Sequence, residues 1–189
     1  LSKKNIELLE ANNYKYVLGA RIKSVTNIVK DKIINLKLNE VKNIDTIVIS
    51  KMQKLIISYS LKRAKKDKYT REKNLRKLEI KVKSKNLTKS HLNNKGYNKY
   101  LELNSNCKTT IDINYDKYNY DCNFDGLKGF ITNDFALSPS QIIEHYTNLW
   151  YIERAFRISK TDLKIRPIYH RLEHRMKSHI LISFVAYIV

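Results

Sequence analysis

The sequence predicts a mixed α and β fold, and three local patterns carry this prediction. Two β-branched runs, 44–50 and 54–59, are separated by three residues, which is the spacing of a β-hairpin with a short loop. A basic stretch over 62–85 repeats apolar residues at intervals compatible with one helical face. Residues 138–141, Ser-Pro-Ser-Gln, form a capping-box pattern that begins another helix.

The other elements follow from shorter patterns, and the sequence has no internal repeat. In chain order we expect a helix that begins at Ser2, a strand over 14–22, the hairpin, the basic helix, a turn over 93–96, and strands over 108–113 and 129–132 joined through a turn at 125–126. The capped helix is expected to run until Pro167 ends it near Lys164 or Ile165, a length of about 26 residues.

Positive charge dominates the composition and is concentrated in one part of the chain. The 189 residues include 37 Lys and Arg against 18 Asp and Glu, a formal net charge of +19 at pH 7. Residues 51–100 hold 17 basic and 3 acidic side chains, most of the basic ones in the basic helix. We interpret this helix as a contact for nucleic-acid phosphates. A solvated face is the alternative, and a membrane-surface helix is disfavoured because the apolar stripe is thin and lacks Trp and Phe.

Other classes of protein find little support. No GxGxxG or GxxxxGK[ST] motif is present, which excludes the two commonest nucleotide-binding fingerprints. Cys107 and Cys122 have neither CxxC nor zinc-ligand spacing, so we expect free thiols in a reducing cytoplasm. We expect no secretory signal and no membrane span, because the only long apolar run, 180–189, has ten residues.

The capped helix carries a polar constellation with a regular spacing. Tyr146, Glu153 and Lys160 are seven residues apart, almost two helical turns, so on one helix they share a face with Arg157 between the last two. A carboxylate on a rigid helix next to cations suits a metal ion beside a phosphate backbone. The alternative is an ordinary ion pair between Glu153 and Arg157 on the helix surface.

These three residues also carry a family resemblance. Their spacing resembles the Y-x2-R-x3-E-x6-K signature of bacterial DDE transposases in the insertion-sequence-four superfamily. The segments 59–67, 125–133 and 163–170 are similar to the same family in the same order, so the resemblance extends over most of the chain. One signature position departs from the family pattern, because Leu149 stands where the family has an Arg that contacts DNA.

For the fold, the resemblance implies an α/β chain with a partial RNase H-like core and a β-rich insertion before the helix that carries the catalytic Glu. Residues 1–60 would hold a core strand and the hairpin, residues 61–136 the basic helix and the insertion, and residues 137–189 the Glu-bearing helix and the start of a following core helix. All three would belong to the C-terminal part of one transposase catalytic domain.

For the function, the resemblance implies DNA transposition. Such enzymes use two Asp and one Glu to hold two Mg²⁺ ions during DNA strand cleavage and transfer. Glu153 would be the catalytic, metal-binding Glu. The second Asp is expected just before Leu1, so both catalytic Asp would be missing from these residues, and we expect this chain to be inactive alone. The implied partners are transposon-end DNA and an intact transposase as a homo-oligomer. The implied DNA contacts are Tyr146, Arg157, Lys160, Lys164 and Arg166, together with Lys62, Arg63, Lys65 and Lys66 of the basic helix.

Two other hypotheses stay open. One is a non-catalytic DNA-binding remnant that interacts or interferes with an intact transposase, and the other is a decayed fragment that does not fold stably. Asp125 and Asp134 are expected to have turn and loop roles. His170 and His174 could share a helical face, but without the Glu of an HExxH pattern a phosphate contact or a helix-surface role for His170 is favoured over a zinc site.

Overall fold

The computed structural model describes residues 3–84, 87–103 and 110–188. The chain divides into two compact units between Pro139 and Ser140. The structure is mixed α and β with a small antiparallel sheet, which confirms the predicted class at that level. The RNase H-like core stays a prediction.

The first unit contains a four-stranded and a two-stranded sheet together with several helices. In chain order its elements are α1 (Lys3–Ala11), β1 (Val17–Ala20), α2 (Asn27–Asn35), β2 (Ile44–Ser50), β3 (Gln53–Tyr59), α3 (Leu61–Lys83), β4 (Leu101–Leu103), β5 (Ile111–Ile113), α4 (Tyr115–Cys122) and β6 (Leu127–Thr132), with short 3₁₀ helices at Ile22–Ser24, Lys89–His91 and Gly96–Tyr100. The four-stranded sheet has the order β1-β6-β3-β2, and each neighbouring pair is antiparallel.

The hairpin of β2 and β3 confirms the prediction from the two β-branched runs. Ile44 lies opposite Ser58, and the register continues to the turn at Ser50 and Gln53. β3 lies between β2 and β6, and its residues 55–57 are fully buried. A strand covered on both faces needs a continuous apolar run rather than an alternating one, and Leu-Ile-Ile at these positions meets that need.

The strands on either side of the predicted turn at Asp125 and Gly126 are not neighbours in a sheet. β5 pairs with β4 in a separate two-stranded sheet, whereas β6 pairs with β1 and β3. The helix α4, which the sequence analysis missed, lies between β5 and β6. Asn114 caps α4, since its side-chain oxygen accepts from the Lys117 N–H at 2.7 Å. Asp125 and Gly126 instead form the turn from α4 into β6, where Gly126 has φ +79°.

The basic helix is confirmed as α3, which ends at Lys83, while position 85 lies outside the described residues. Leu78 is its fully buried residue and packs with Tyr100 and Leu101. Val82 packs against the same cluster. The apolar stripe therefore anchors α3 along one side, which leaves most of its cationic side chains at the surface.

In the second unit, the predicted single helix is two helices, α5 (Pro139–Thr147) and α6 (Leu149–Thr161). Asn148 lies between them, and the Tyr151 N–H bonds its carbonyl at 3.1 Å in a tight i to i+3 turn. The Thr147 hydroxyl donates to the Ile143 carbonyl at 2.8 Å, a contact that bends helices. The prediction of the helix end is also wrong, because α6 stops at Thr161 and Lys164 follows with φ +47°.

The last helix is α7 (Glu173–Ile188), which contains most of the predicted apolar run. Its Ser183 is buried, and many of its apolar side chains are exposed, including Leu181, Ile182 and Phe184. A search of the described helices finds none with both the length and the apolar character needed to cross a membrane.

Candidate functional site

The four predicted phosphate contacts on α3 lie in its first two turns, and all are exposed. They are Lys62, Arg63, Lys65 and Lys66. Arg63 is paired with Asp67, with 3.5 Å between Nε and Oδ2. Asp67 also accepts a hydrogen bond from the Gly126 N–H at 3.2 Å, so this ion pair is tied to the turn before β6.

A cleft of about 610 Å³ opens along one side of α3 in the first unit. Its walls are α3, the segment 20–24 after β1, residues 96–100 and the segment 124–129 that includes the start of β6. Its carboxylates are Asp67 and Asp125, and its cationic side chains are Arg21, Lys23, Arg63, Lys66, Arg71, Lys99 and Lys128. Cations thus clearly outnumber carboxylates in this concave surface.

The cleft divides the predicted basic residues of α3 into two pairs. Arg63 and Lys66 line the cleft, together with Thr70, Arg71 and Asn74, which follow at helical spacing on the same face. Lys62 and Lys65 do not line it. The sequence could not separate these pairs, since every side of this helix carries Lys or Arg.

Besides Arg63, three more of the cleft cations are held by carboxylates. Arg71 Nη1 donates to both carboxylate oxygens of Asp125, and these two side chains are only 10% and 17% exposed. Asp121 Oδ2 accepts from Lys99 Nζ and lies 3.5 Å from Lys23 Nζ. Asp121 therefore links two walls of the cleft, because Lys99 belongs to the 3₁₀ helix Gly96–Tyr100 and Lys23 belongs to the segment after β1.

The carboxylate of Asp121 has three polar partners, Lys99, Lys23 and Tyr100. The Tyr100 hydroxyl donates to Asp121 Oδ2 at 2.7 Å. Burial acts against ionisation of Asp121, but the hydrogen bonds from Lys99 and Tyr100 and the charge of Lys23 outweigh it and lower the pKa of Asp121. Burial and the hydrogen bond to Asp121 also raise the pKa of the Tyr100 phenol. Asp121 is thus an ionised anchor at neutral pH.

The remaining cleft cations are Arg21, Lys66 and Lys128. Within the described part of the chain, neither Arg21 nor Lys66 forms an ion pair with a carboxylate. Lys128 Nζ lies 4.9 Å from the centroid of the Phe130 ring. Burial, and then the positive charge of Arg63, lower the pKa of Lys128. Arg21 and Lys66 therefore contribute positive charge to the cleft that no ion pair among the described residues offsets.

In the second unit, α6 carries Glu153, Arg157 and Lys160, which are all exposed. Glu153 and Arg157 line a shallow cavity of about 520 Å³ with Trp150 and Arg154. Among the residues that the structure describes, Glu153 forms no ion pair, so the alternative of a surface pair with Arg157 is not seen.

The other predicted contacts are distributed over different elements. Tyr146 lies on α5 and is half-buried, so it does not share one helix with Glu153 as expected. Lys164 and Arg166 are exposed and lie in the segment between α6 and α7. Leu149, at the departed signature position, is the first residue of α6 and is 40% exposed.

The described residues do not form the implied Mg²⁺ site. No group of three or more His, Cys, Asp or Glu side chains in this part of the chain is placed to hold a metal ion. Glu153 alone is not a two-metal site, which needs carboxylates on both ions. His170 and His174 do not share a helical face, because His170 precedes α7. The His170 ring meets that of His179, at 5.6 Å between centroids, and His179 Nε2 lies 3.2 Å from the Ile165 carbonyl oxygen.

The cysteine and acidic residues outside these sites have local roles. Cys122 is a free thiol, while Cys107 lies outside the described residues. Asp134 accepts hydrogen bonds from the Ala136 and Leu137 N–H groups in the loop after β6, in line with its expected loop role. Comparison with protein-family models, curated proteins and solved structures finds no match to this chain.

Proposed function

We propose that this chain binds DNA as the C-terminal part of a DDE transposase catalytic region. The observation that carries the DNA-binding part is the basic cleft beside α3, because concave surfaces with excess cations concentrate phosphate backbones. The family assignment rests on the Tyr146, Glu153 and Lys160 spacing and on the similar segments around it. A partial RNase H-like core and a cytoplasmic location belong to the same proposal.

The catalytic part of the proposal concerns Glu153. In the complete enzyme it would supply the third metal-binding carboxylate for Mg²⁺-dependent strand cleavage and transfer, and transposon-end phosphates would be contacted by Tyr146, Arg157, Lys160, Lys164 and Arg166. Glu153 is exposed on α6, so its carboxylate is accessible to a metal ion that carboxylates from elsewhere in the complete enzyme would also hold. Because the described residues form no such group, we expect this chain alone to bind DNA without cutting it.

A second candidate is a non-catalytic DNA-binding remnant that interacts or interferes with an intact transposase. It is favoured by the same observation, since no described carboxylate or His is grouped with Glu153 as a metal site. DNA incubated with the purified chain and Mg²⁺ tests both candidates. Strand cleavage or transfer that disappears in Glu153→Gln would overturn the expectation that the chain is inactive alone and would exclude the remnant.

DNA binding itself is tested by the salt dependence of affinity. Fluorescence anisotropy of a labelled duplex is measured at several NaCl concentrations, and log K is plotted against log salt. Each phosphate contact contributes about −0.9 to this slope for duplex DNA. We expect a slope of about −3 or steeper, which corresponds to about three or more phosphate contacts among the seven cationic side chains that line the cleft. A polyglutamate of equal charge serves as the control anion. No binding, or a slope near zero, would refute the proposal.

A further inference from the structure

We infer that Asp45 acts as a gate on the free edge of β2, and that opening this gate lets β2 pair with β2 of a second copy of this chain. The gate is the hydrogen bond in which the Thr46 N–H donates to Asp45 Oδ1 at 2.7 Å. The inference concerns contact between copies of the chain, so it is independent of the proposed DNA binding and of the basic cleft.

β2 is an edge strand, because among the described residues β3 is its only strand neighbour. The Asn43 carbonyl, which accepts from the Tyr59 N–H at 2.8 Å, marks the side of the chain that faces β3. Backbone groups of successive residues point to opposite sides of an antiparallel strand, so those of Ile44, Thr46 and Val48 face away from β3. Such a row of backbone groups without a strand partner is a template for pairing with another strand.

Asp45 closes the middle of this row. Its Oδ1 accepts from the Thr46 N–H, and its Oδ2 lies 2.5 Å from Lys42 Nζ. The hydrogen bond from Lys42, and then the one from the Thr46 N–H, lower the pKa of Asp45, so its carboxylate is ionised at neutral pH. An incoming strand would have to take the Thr46 N–H from a charged acceptor and shield that carboxylate from water. Both steps oppose pairing.

The edge of β2 suits a second copy of itself once the gate is open. An antiparallel pair with its two-fold axis at Thr46 sets Ile44 opposite Val48 of the second copy, and Thr46 opposite Thr46. All three residues are β-branched and uncharged, which favours cross-strand pairs. Val48 is 60% exposed, so this pairing would also bury apolar surface.

The hydroxyl of Thr46 gives a second, independent reason for this register. Thr46 Oγ1 is buried and has no hydrogen-bond partner among the described residues. A buried polar atom without a partner is costly. Two threonines that face each other across a strand pair can bond through their hydroxyls, so pairing centred on Thr46 provides this atom with a partner.

Sedimentation velocity of the purified chain measures the pairing. The opened variant is Asp45→Ala, which removes the carboxylate acceptor, and the control is Asp31→Ala at an exposed position on α2. Both variants lose one negative charge, so they are matched in net charge. The measurements are made in about 0.3 M NaCl, because the net charge of +19 otherwise keeps copies of the chain apart.

We expect Asp45→Ala to dimerise at least about tenfold more tightly than the unmodified chain, because pairing no longer competes with a charged acceptor. Asp31→Ala is expected to behave as the unmodified chain does. If both variants dimerise equally, the effect follows from net charge alone and the gate is refuted.

Amide hydrogen exchange identifies the surface that pairs. In the Asp45→Ala dimer the amides of Ile44, Thr46 and Val48 should gain protection, whereas that of Ile47, which faces β3, should not change. Adding Val48→Lys puts a charge on the edge and is expected to restore the monomer. A dimer that is protected elsewhere, or one that persists with Val48→Lys, would contradict pairing through β2.

A parallel variant separates gating from an effect on folding. Asp45→Val also lacks the acceptor, and Val favours strands, so circular dichroism is recorded for it and for Asp45→Ala. Monomeric behaviour of these variants in a folded state would overturn the inference. It would also fail if the unmodified chain dimerised through the same amides, since the edge would then be open with Asp45 in place. Unfolding of both variants would assign Asp45 to folding and refute its role as a gate.

Discussion

Replacing Asp121 by Asn tests whether this carboxylate holds the walls of the cleft together. Asp121 Oδ2 accepts from Lys99 Nζ and, at 2.7 Å, from the Tyr100 hydroxyl, and it lies 3.5 Å from Lys23 Nζ. A hydrogen bond to a charged group contributes about 1.5–3 kcal/mol to the free energy of unfolding. The Asp121 side chain is 13% exposed, but Lys23 is 45% exposed, which screens its share. We expect the free energy of unfolding to fall by about 2 kcal/mol.

Urea unfolding at neutral pH, followed by circular dichroism, measures this loss. Asp31→Asn is the matched control, because Asp31 is exposed on α2 and undergoes the same chemical change. The control is expected to stay within about 0.5 kcal/mol of the unmodified chain, as surface substitutions usually do. The difference between the two variants then isolates the contacts of Asp121 from the change in net charge.

The effect also has a definite pH dependence. The pKa of Asp121 is lowered in the folded state, so its contribution is fully present above the unfolded Asp value of about 4. It is lost as pH falls from there through the lowered folded pKa. The gap between the unmodified chain and Asp121→Asn should therefore be constant from neutral pH down to about pH 5 and shrink below about pH 4. A gap under about 0.5 kcal/mol at neutral pH, or one that widens in acid, would refute the reasoning.

Two further predictions concern packing around α3. Gly126→Ala should lower the free energy of unfolding by about 1–3 kcal/mol more than Gly96→Ala, because both have positive φ but only at Gly126 would the new Cβ meet another atom, Ala64 Cβ at 2.8 Å. Equal losses in urea unfolding would show that the turn yields without strain. Leu78→Ala should cost about 2–5 kcal/mol because Leu78 is fully buried, whereas Ile80→Ala, at a side chain 68% exposed, should cost under about 1 kcal/mol. Similar losses for both variants would contradict the assignment of the buried face.

Patterns confined to one segment were readable from the sequence. The β2 and β3 hairpin follows from two β-branched runs and a short loop, and α3 follows from apolar residues such as Leu78 and Val82 at helical spacing. The break at Asn148 was not readable, since the helix pattern continues through it. A single side-chain bond from Thr147 to the carbonyl one turn earlier accompanies that break.

The sequence also did not predict which distant strands pair with each other. The strand pattern of β6 is clear, but nothing local indicates that it lies between β1 and β3 rather than beside β5. The intervening helix α4 is rich in Tyr, which favours strands in short segments, so its Asn114 cap was the better signal.

By itself, the sequence determined the excess of positive charge, its concentration in α3, the mixed fold class and the Tyr146, Glu153 and Lys160 spacing. Only the tertiary structure decided which side of α3 faces a cleft and which distant cations join it, because the cleft is lined by Arg21 and Lys128, which are more than 100 residues apart in the chain. The charge of each residue can be read directly from the sequence, whereas a binding surface depends on contacts between segments that are set by packing.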